Sequence, residues 1–191
     1  MRVLAVHGSP RVGGNTESLV AEVLRGAEVS GADTTCHRLN DITISPCQGC
    51  DACKTTKRCR VDDDMQELYD AVLEADALVI GTPIYFWGPS AQTKVFLDRL
   101  YALDTEGVRE RLSRKHVLLV CAFADDDLRT ADNAVNMLRS GSAWFDMVFH
   151  QPLLAVASAR GEVKGQADTM DRAYRAGLHL AKAVASEMRG A

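Results

Sequence analysis

Four cysteines, Cys47, Cys50, Cys53 and Cys59, lie within thirteen residues of a 191-residue chain, three at two-residue gaps and the last after a five-residue gap. Thiolates so crowded are soft metal ligands or redox groups, and six cysteines in all are more than a reducing compartment uses for structural disulfides. Zinc usually takes two pairs of cysteines separated by a longer spacer. A C-x₂-C-x₂-C run instead wraps three corners of an iron–sulfur cubane, and a further thiolate six positions on can close the fourth. A 4Fe–4S core with four thiolates carries a net charge of about −2, which Lys54, Lys57, Arg58 and Arg60 are placed to offset. Free or disulfide-forming thiols and zinc are the competing readings.

A second constellation opens the chain. The apolar run Val3-Leu4-Ala5-Val6 ends in His7-Gly8-Ser9-Pro10-Arg11-Val12-Gly13-Gly14-Asn15-Thr16, and a helical pattern follows. A buried strand feeding a polar, glycine-rich loop at a helix start presents unpaired N–H groups at a positive helix end, where a phosphate binds. The G-x-G-x-x-G spacing of a dinucleotide loop is absent, and so is the Gly-Lys-Ser/Thr of an NTPase loop. Ser9, Gly13, Gly14, Asn15 and Thr16 around the single cation Arg11 suit one terminal monophosphate held without a metal. A turn capped by Asn15 or Thr16 that binds nothing has the same local pattern. A C-x₅-R phosphatase loop is excluded, because no cysteine has an arginine at that distance.

The third is Pro83-Ile84-Tyr85-Phe86-Trp87-Gly88-Pro89. Three consecutive aromatics between a strand and a helix fit neither period; their use is to cover a flat heterocycle, a subunit interface or the core. The prolines stiffen this loop and Gly88 permits close approach. A phosphate at one end and a fused ring at the other describe FMN.

The elements that position these loops alternate along the chain. Strands are predicted at 2–7, 34–39, 77–81, 116–123 and 148–156, and helices follow each, with buried faces such as Leu19, Val20, Val23, Leu24 and Ala27. Asp63 and Gln66 predict a capping box for the helix carrying Met65, Leu68, Tyr69, Val72 and Leu73. Two further helices are predicted over 90–103 and 128–145, and a closing one over 166–189. Five βα units without a repeat or linker predict one α/β domain over 1–191, a doubly wound five-stranded parallel sheet of flavodoxin-like order 2-1-3-4-5, with a Cys-rich insertion at about 42–61. In that order the ligand lies at the carboxyl ends of strands one and three, where both loops fall.

The net charge of −4 and the lack of a basic tract argue against nucleic acid. No apolar run approaches the roughly 18 residues of a membrane span, and no signal-peptide pattern precedes the first strand, so a cytoplasmic protein is expected. Cys36 and Cys121 fall on strands and read as core residues. His7 reads as a satisfied histidine beside the loop, Asp125-Asp126-Asp127 as a solvated helix cap, and Lys94, Asp98 and Arg99 as surface ion-pair residues.

Gly8-Ser9-Pro10-Arg11-x-Gly13-Gly14-Asn15-Thr16, Pro83-Ile84-Tyr85 and Ser90-Ala91-Gln92-x-Lys94-x-Phe96-x-Asp98-Arg99 resemble the NAD(P)H-dependent FMN reductases of flavodoxin-like fold, closely over residues 1 to about 103 and in outline beyond. The compact cysteine motif after strand two is similar to that of the iron–sulfur flavoproteins, a branch of the same fold. The resemblance implies FMN between the loops, homodimers or homotetramers with the flavin near an interface, and reduction by a nicotinamide nucleotide. It implies a third ring-contacting loop near Ala124, and Cys47, Cys50, Cys53 and Cys59 as cluster ligands. The activity implied is electron transfer between a reduced donor, NAD(P)H or ferredoxin-like, and a small-molecule redox substrate or electron-carrier protein. A cluster-free NAD(P)H-dependent FMN or quinone reductase and a non-catalytic flavin-binding carrier are the alternatives. No side chain is assigned as acid, base or nucleophile, since the flavin carries the chemistry.

Overall fold

Residues 1–190 are described by a computed structural model. The apolar run of β1 (Arg2–His7) is buried from Val3 onward because strands pair with both its edges, β2 (Asp33–Arg38) on one side and β3 (Ala77–Tyr85) on the other. Beyond β3 lies β5 (His116–Phe123), also parallel and buried throughout. The remaining edge of β5 is shared by two short parallel strands in succession, β6 (Val148–Phe149) and β7 (Leu153–Val156). β4 (Gly88–Pro89) folds back antiparallel on the end of β3.

The sheet therefore has seven strands on the path β2-β1-β3-β5-β6, with β4 on β3 and β7 on β5, in place of the expected five in order 2-1-3-4-5. Two local causes account for the difference. The predicted strand 148–156 is interrupted at His150-Gln151-Pro152, where proline removes a ladder donor. β3 also runs past its expected end at Gly81, because Ile84 and Tyr85 pair with Pro89 and Gly88.

Alternate strand side chains enter two apolar layers. Val3, Ala5, Val79, Leu118 and Val120 face α1 (Asn15–Val29) and α6 (Ala167–Gly190). Leu4, Val6, Leu78, Ile80 and Leu119 face the layer that holds α3 (Met65–Glu74), α4 (Ala91–Arg99) and α5 (Asp132–Trp144). α1 and α6 cross with their backbones in contact: a Cβ on Gly177 would lie 1.8 Å from the Val23 carbonyl oxygen, and one on Gly26 2.0 Å from that of Tyr174.

The helix predicted over 90–103 is α4 followed by a 3₁₀ turn over Leu100–Leu103, and that predicted over 128–145 is a 3₁₀ turn over Leu128–Ala131 followed by α5. The capping box is corrected: Asp64 takes the N-cap position of α3 without a side-chain cap, Asp63 accepts from Met65 N but is committed to Arg99, and Gln66 donates to the carbonyls of Cys59 and Val61. The cysteine segment between β2 and α3 contains one short helix, α2 (Ala52–Thr56). No described helix is long and apolar enough to cross a membrane.

Candidate functional site

The loops after β1 and β3 are joined at their bases. Gly8 N donates to Gly81 O at 2.9 Å, Ser90 Oγ donates to Gly8 O at 2.8 Å, and Ser90 N donates to Thr82 Oγ1 at 2.9 Å. Ser90 also caps α4 by accepting from Thr93 N at 3.3 Å. The approach is so close that a Cβ on Gly8 would stand 2.1 Å from Thr93 Oγ1 and 2.8 Å from its backbone nitrogen. Glycine is therefore required at position 8, and the two predicted ligand loops stand side by side at the carboxyl ends of β1 and β3.

Within the first loop Ser9 is buried, and its Oγ accepts weakly from Arg11 N at 3.3 Å. Gly14 N turns back to Arg11 O, while Gly13 N donates to the Glu17 carboxylate at 2.8 Å. Gly14 is the N-cap residue of α1 and offers no side-chain cap, so the capping by Asn15 or Thr16 that belongs to the alternative, non-binding reading of the turn is absent. The first N–H groups of the helix, from Asn15 and Thr16, have no intrahelical acceptor. The Asn15 side chain faces elsewhere: its Nδ2 donates to the Ala157 and Ala159 carbonyls at 3.2 and 2.9 Å, and its Oδ1 accepts from Val163 N at 3.3 Å. That tie draws the turn after β7 onto the loop, so that the Arg160 guanidinium stands 3.7 Å from where a Gly13 Cβ would be. Arg160 is a second cation that the sequence reading missed, although its Ala159-Arg160-Gly161 turn also follows a strand's carboxyl end. Arg11 is exposed.

His7, at the end of β1, is only 3 % exposed, and its Nδ1 has no hydrogen-bond partner. Burial, with Arg38 adding to it, holds its pKa below the ordinary value against the opposing charge of Glu17. The expected satisfied histidine is thus an orphaned imidazole beneath the loop.

In the second loop Pro83 and Ile84 are buried in β3, and Tyr85 and Gly88 pair across a two-residue hairpin whose tip is Phe86-Trp87. Both tip residues have left-handed backbones, φ 47° and 57°, a conformation bulky side chains rarely adopt. Phe86 is 94 % exposed and Trp87 56 %, with their rings edge to face at 5.6 Å between centroids. The aromatics therefore do not cover the core. Ala124 is exposed in the loop after β5, two residues beyond the register partner of Pro83.

Cys47, Cys50, Cys53 and Cys59 all line one small cavity, with Arg60, Arg99 and Tyr101 in its wall. Burial pushes the Cys53 thiol up, with Lys54 opposing. Among the described residues no three His, Cys, Asp or Glu side chains stand close enough together to hold a metal ion. Of the nearby cations, Arg60 faces the cavity, whereas Lys54 pairs with Asp104 at 3.1 Å and Arg58 donates to Gln66.

Arg99 is not a surface residue. It is 1 % exposed, forks onto Asp63 at 2.7 and 3.0 Å, donates to Ser45 O at 2.7 Å and reaches Tyr69 Oη at 3.1 Å. It thereby ties α4 to both ends of the cysteine segment. Lys94 and Asp98 do form the expected exposed pair. Asp127 caps the 3₁₀ turn after β5 by accepting from Arg129 N. Cys121 is buried, its thiol pushed up to about 12 by that burial, while Cys36 is exposed because β2 is an edge strand.

A family profile described as NADPH-dependent FMN reductase matches residues 1–161. An iron–sulfur flavoprotein of Methanocaldococcus jannaschii is 41% identical over 99 residues, which are 52% of this chain and 51% of that protein. The chain spans about half the length of the curated relatives it matches. Among solved structures, an NAD(P)H:quinone oxidoreductase from Methanothermobacter marburgensis aligns with a TM-score of 0.75 at 18% identity, over 94% of this chain and 96% of that one. A flavodoxin from the domain Archaea aligns at 0.63 and 14% identity, over 96% and 99%. These likenesses show a flavodoxin-like α/β fold.

Proposed function

This chain belongs to the NADPH-dependent FMN reductase family, and from that premise we propose that it is an FMN-dependent oxidoreductase of iron–sulfur flavoprotein type, passing electrons from NAD(P)H or a ferredoxin-like donor to an acceptor. The observation that supports this reading is the hydrogen-bonded seam of Gly8, Gly81, Thr82 and Ser90, which sets an N–H-rich loop beside an aromatic hairpin. When bound, FMN supplies two-electron chemistry and a 4Fe–4S cluster one-electron steps.

The residues present fit FMN, and the four thiols have the chemistry of a cluster's donor set without converging on one point. Ser9 and the N–H groups of Gly13, Asn15 and Thr16 receive the phosphate, Gly14 shapes the turn through its bond to Arg11 O, and Arg11 and Arg160 offset the charge. Asn15 contributes its backbone and, through its side chain, holds Arg160 in place. Glu17 accepts from the same Gly13 N–H that a phosphate oxygen takes, so its carboxylate yields that donor on binding. Pro83, Ile84, Tyr85, Phe86, Trp87, Gly88 and Ala124 border the ring, and Phe86 and Trp87, already exposed, exclude water from its face. The four thiols around one cavity, with Arg60 and Arg99 in the wall, are the donor set of a cluster.

A second reading, a cluster-free FMN or quinone reductase, is favoured by the lack of convergence of three thiols among the described residues. Iron and acid-labile sulfide assayed on anaerobically purified protein decide between them. The first reading predicts about four equivalents of each, and less than one removes it. Turnover of NADPH or NADH with a quinone or free-flavin acceptor tests the enzyme itself, and none with either donor would leave a carrier. A homodimer or homotetramer is proposed with it, and size-exclusion chromatography with light scattering checks that.

A further inference from the structure

At the amino end of β5, opposite the crevice, three side chains form a line. Glu187 Oε2 lies 2.6 Å from His116 Nε2, and His116 Nδ1 lies 2.7 Å from His150 Nε2. The imidazoles stack with centroids 5.0 Å apart and 28° between planes. A carboxylate only accepts, so His116 donates from Nε2 to Glu187, and the bond between His116 Nδ1 and His150 Nε2 extends that contact to the second ring. His116 is 5 % exposed, and Arg114 also engages Glu187, so the relay is anchored at its base. The ring of His150 is thereby held by one part-buried hydrogen bond to His116, itself held by Glu187, and no step proposed above uses this line.

His150 opens onto a cavity of about 340 Å³ between the β6–β7 connection and α6. Gln151, Arg172, Arg175 and His179 surround it over an apolar floor that includes Leu118 and Leu180, and no acidic residue lines it. Arg172 has one contact, to Leu154 O at 3.2 Å, and Arg175 pairs with Asp171 at 2.8 Å outside the lining. A chain of net charge −4 thus gathers two guanidiniums and two imidazoles around one concavity. Its size lies at the small end of ligand pockets, about 300–1,000 Å³.

We propose that this cavity is a second ligand site, for a small organic anion whose phosphate or carboxylate head lies between Arg172 and Arg175 and whose apolar body rests on the floor beside His150. Guanidiniums match both head groups in two-pronged geometry, and an imidazole held by a relay supplies a directional partner at low entropic cost. The site is independent of the flavin crevice, and its ligand is a regulator or a second substrate-class anion rather than the cofactor.

Phenyl phosphate and benzoate, titrated into the protein as isolated and followed by the histidine Hε1 proton resonances, test this. The result expected is a saturable shift of the His150 and His179 signals with at least one probe, phenol giving none. The double variant Arg172→Gln/Arg175→Gln should weaken that binding at least tenfold while leaving Tm and the flavin absorption spectrum unchanged. Absence of a saturable shift with both probes, or equal affinity in the double variant, overturns the proposal. The flavin spectrum reports separately on the crevice, so failure of one reading is distinguishable from failure of the other.

Discussion

Among single residues, the most consequential is Arg99, a guanidinium 1 % exposed and paired with an Asp63 side chain 6 % exposed. Asp63→Asn leaves that charge buried with a neutral partner and should cost about 3–5 kcal/mol, read as a lowered midpoint in urea. Burial alone would raise the Asp63 pKa, but hydrogen bonds from Arg99 and from Ser45 N outweigh it and hold the carboxyl below its usual range. A depressed native pKa means that this stabilisation is complete above the unfolded-state pKa of about 4 and is lost as pH falls through the lower native value. Acid titration by circular dichroism should show that loss in the wild type, and Asp63→Asn should lack it. Glu17 offers a prediction of opposite sign. With its carboxylate withdrawn from the phosphate loop, Glu17→Gln should tighten FMN about fivefold, the equivalent of roughly 1 kcal/mol for a partly solvated charge at contact distance, as measured by flavin fluorescence. Neither role was legible in the sequence. Lys94-x-x-x-Asp98-Arg99 has helical spacing for a surface ion pair, and only the tertiary placement of Ser45, Asp63 and Tyr69 around the last of these residues puts it inside.

Elements with a strong period were readable. The apolar runs of β1, β3 and β5 and the stripe on α1 stand where the pattern put them, because buried parallel strands and amphipathic helices leave large signals. Short pieces were not: β4 and β6 span two residues each, and their pairing depends on which strand lies beside them. The Phe86-Trp87 tip shows why function hides there. A two-residue hairpin with positive φ at both positions is best served by Asn-Gly, yet this chain places two exposed aromatic rings in that strained geometry, at a cost of about 1–3 kcal/mol each. Phe86→Asn/Trp87→Gly should therefore raise Tm while weakening flavin binding or slowing acceptor reduction; a variant that gained stability with flavin affinity and turnover both intact would show the rings to be unconnected with the crevice. The α1–α6 crossing gives a complementary test. Gly177→Ala forces its Cβ against the Val23 carbonyl, and an overpacked contact costs about 1–3 kcal/mol, visible as a lower Tm with the crevice untouched.

For the whole molecule, the sheet order carries functional meaning: adjacency of β1 and β3 brings residues 9–16 and 83–88 together although some seventy positions separate them. The cysteine segment is a satellite fastened by Arg99, so loss of the cluster proposed for it should leave the sheet standing. Cys59→Ser is expected to abolish iron binding while flavin content and the far-ultraviolet spectrum hold, and loss of both cofactors together would place the segment inside the flavin crevice. The central claim, that the knitted loops clasp FMN, is tested most directly by calorimetric titration of deflavinated protein with FMN and, in parallel, with riboflavin. A phosphate loop predicts one equivalent of FMN bound, with riboflavin weaker by at least a hundredfold, about 2.7 kcal/mol for several charge-assisted hydrogen bonds. No heat with FMN, or equal affinity for the two, would contradict it.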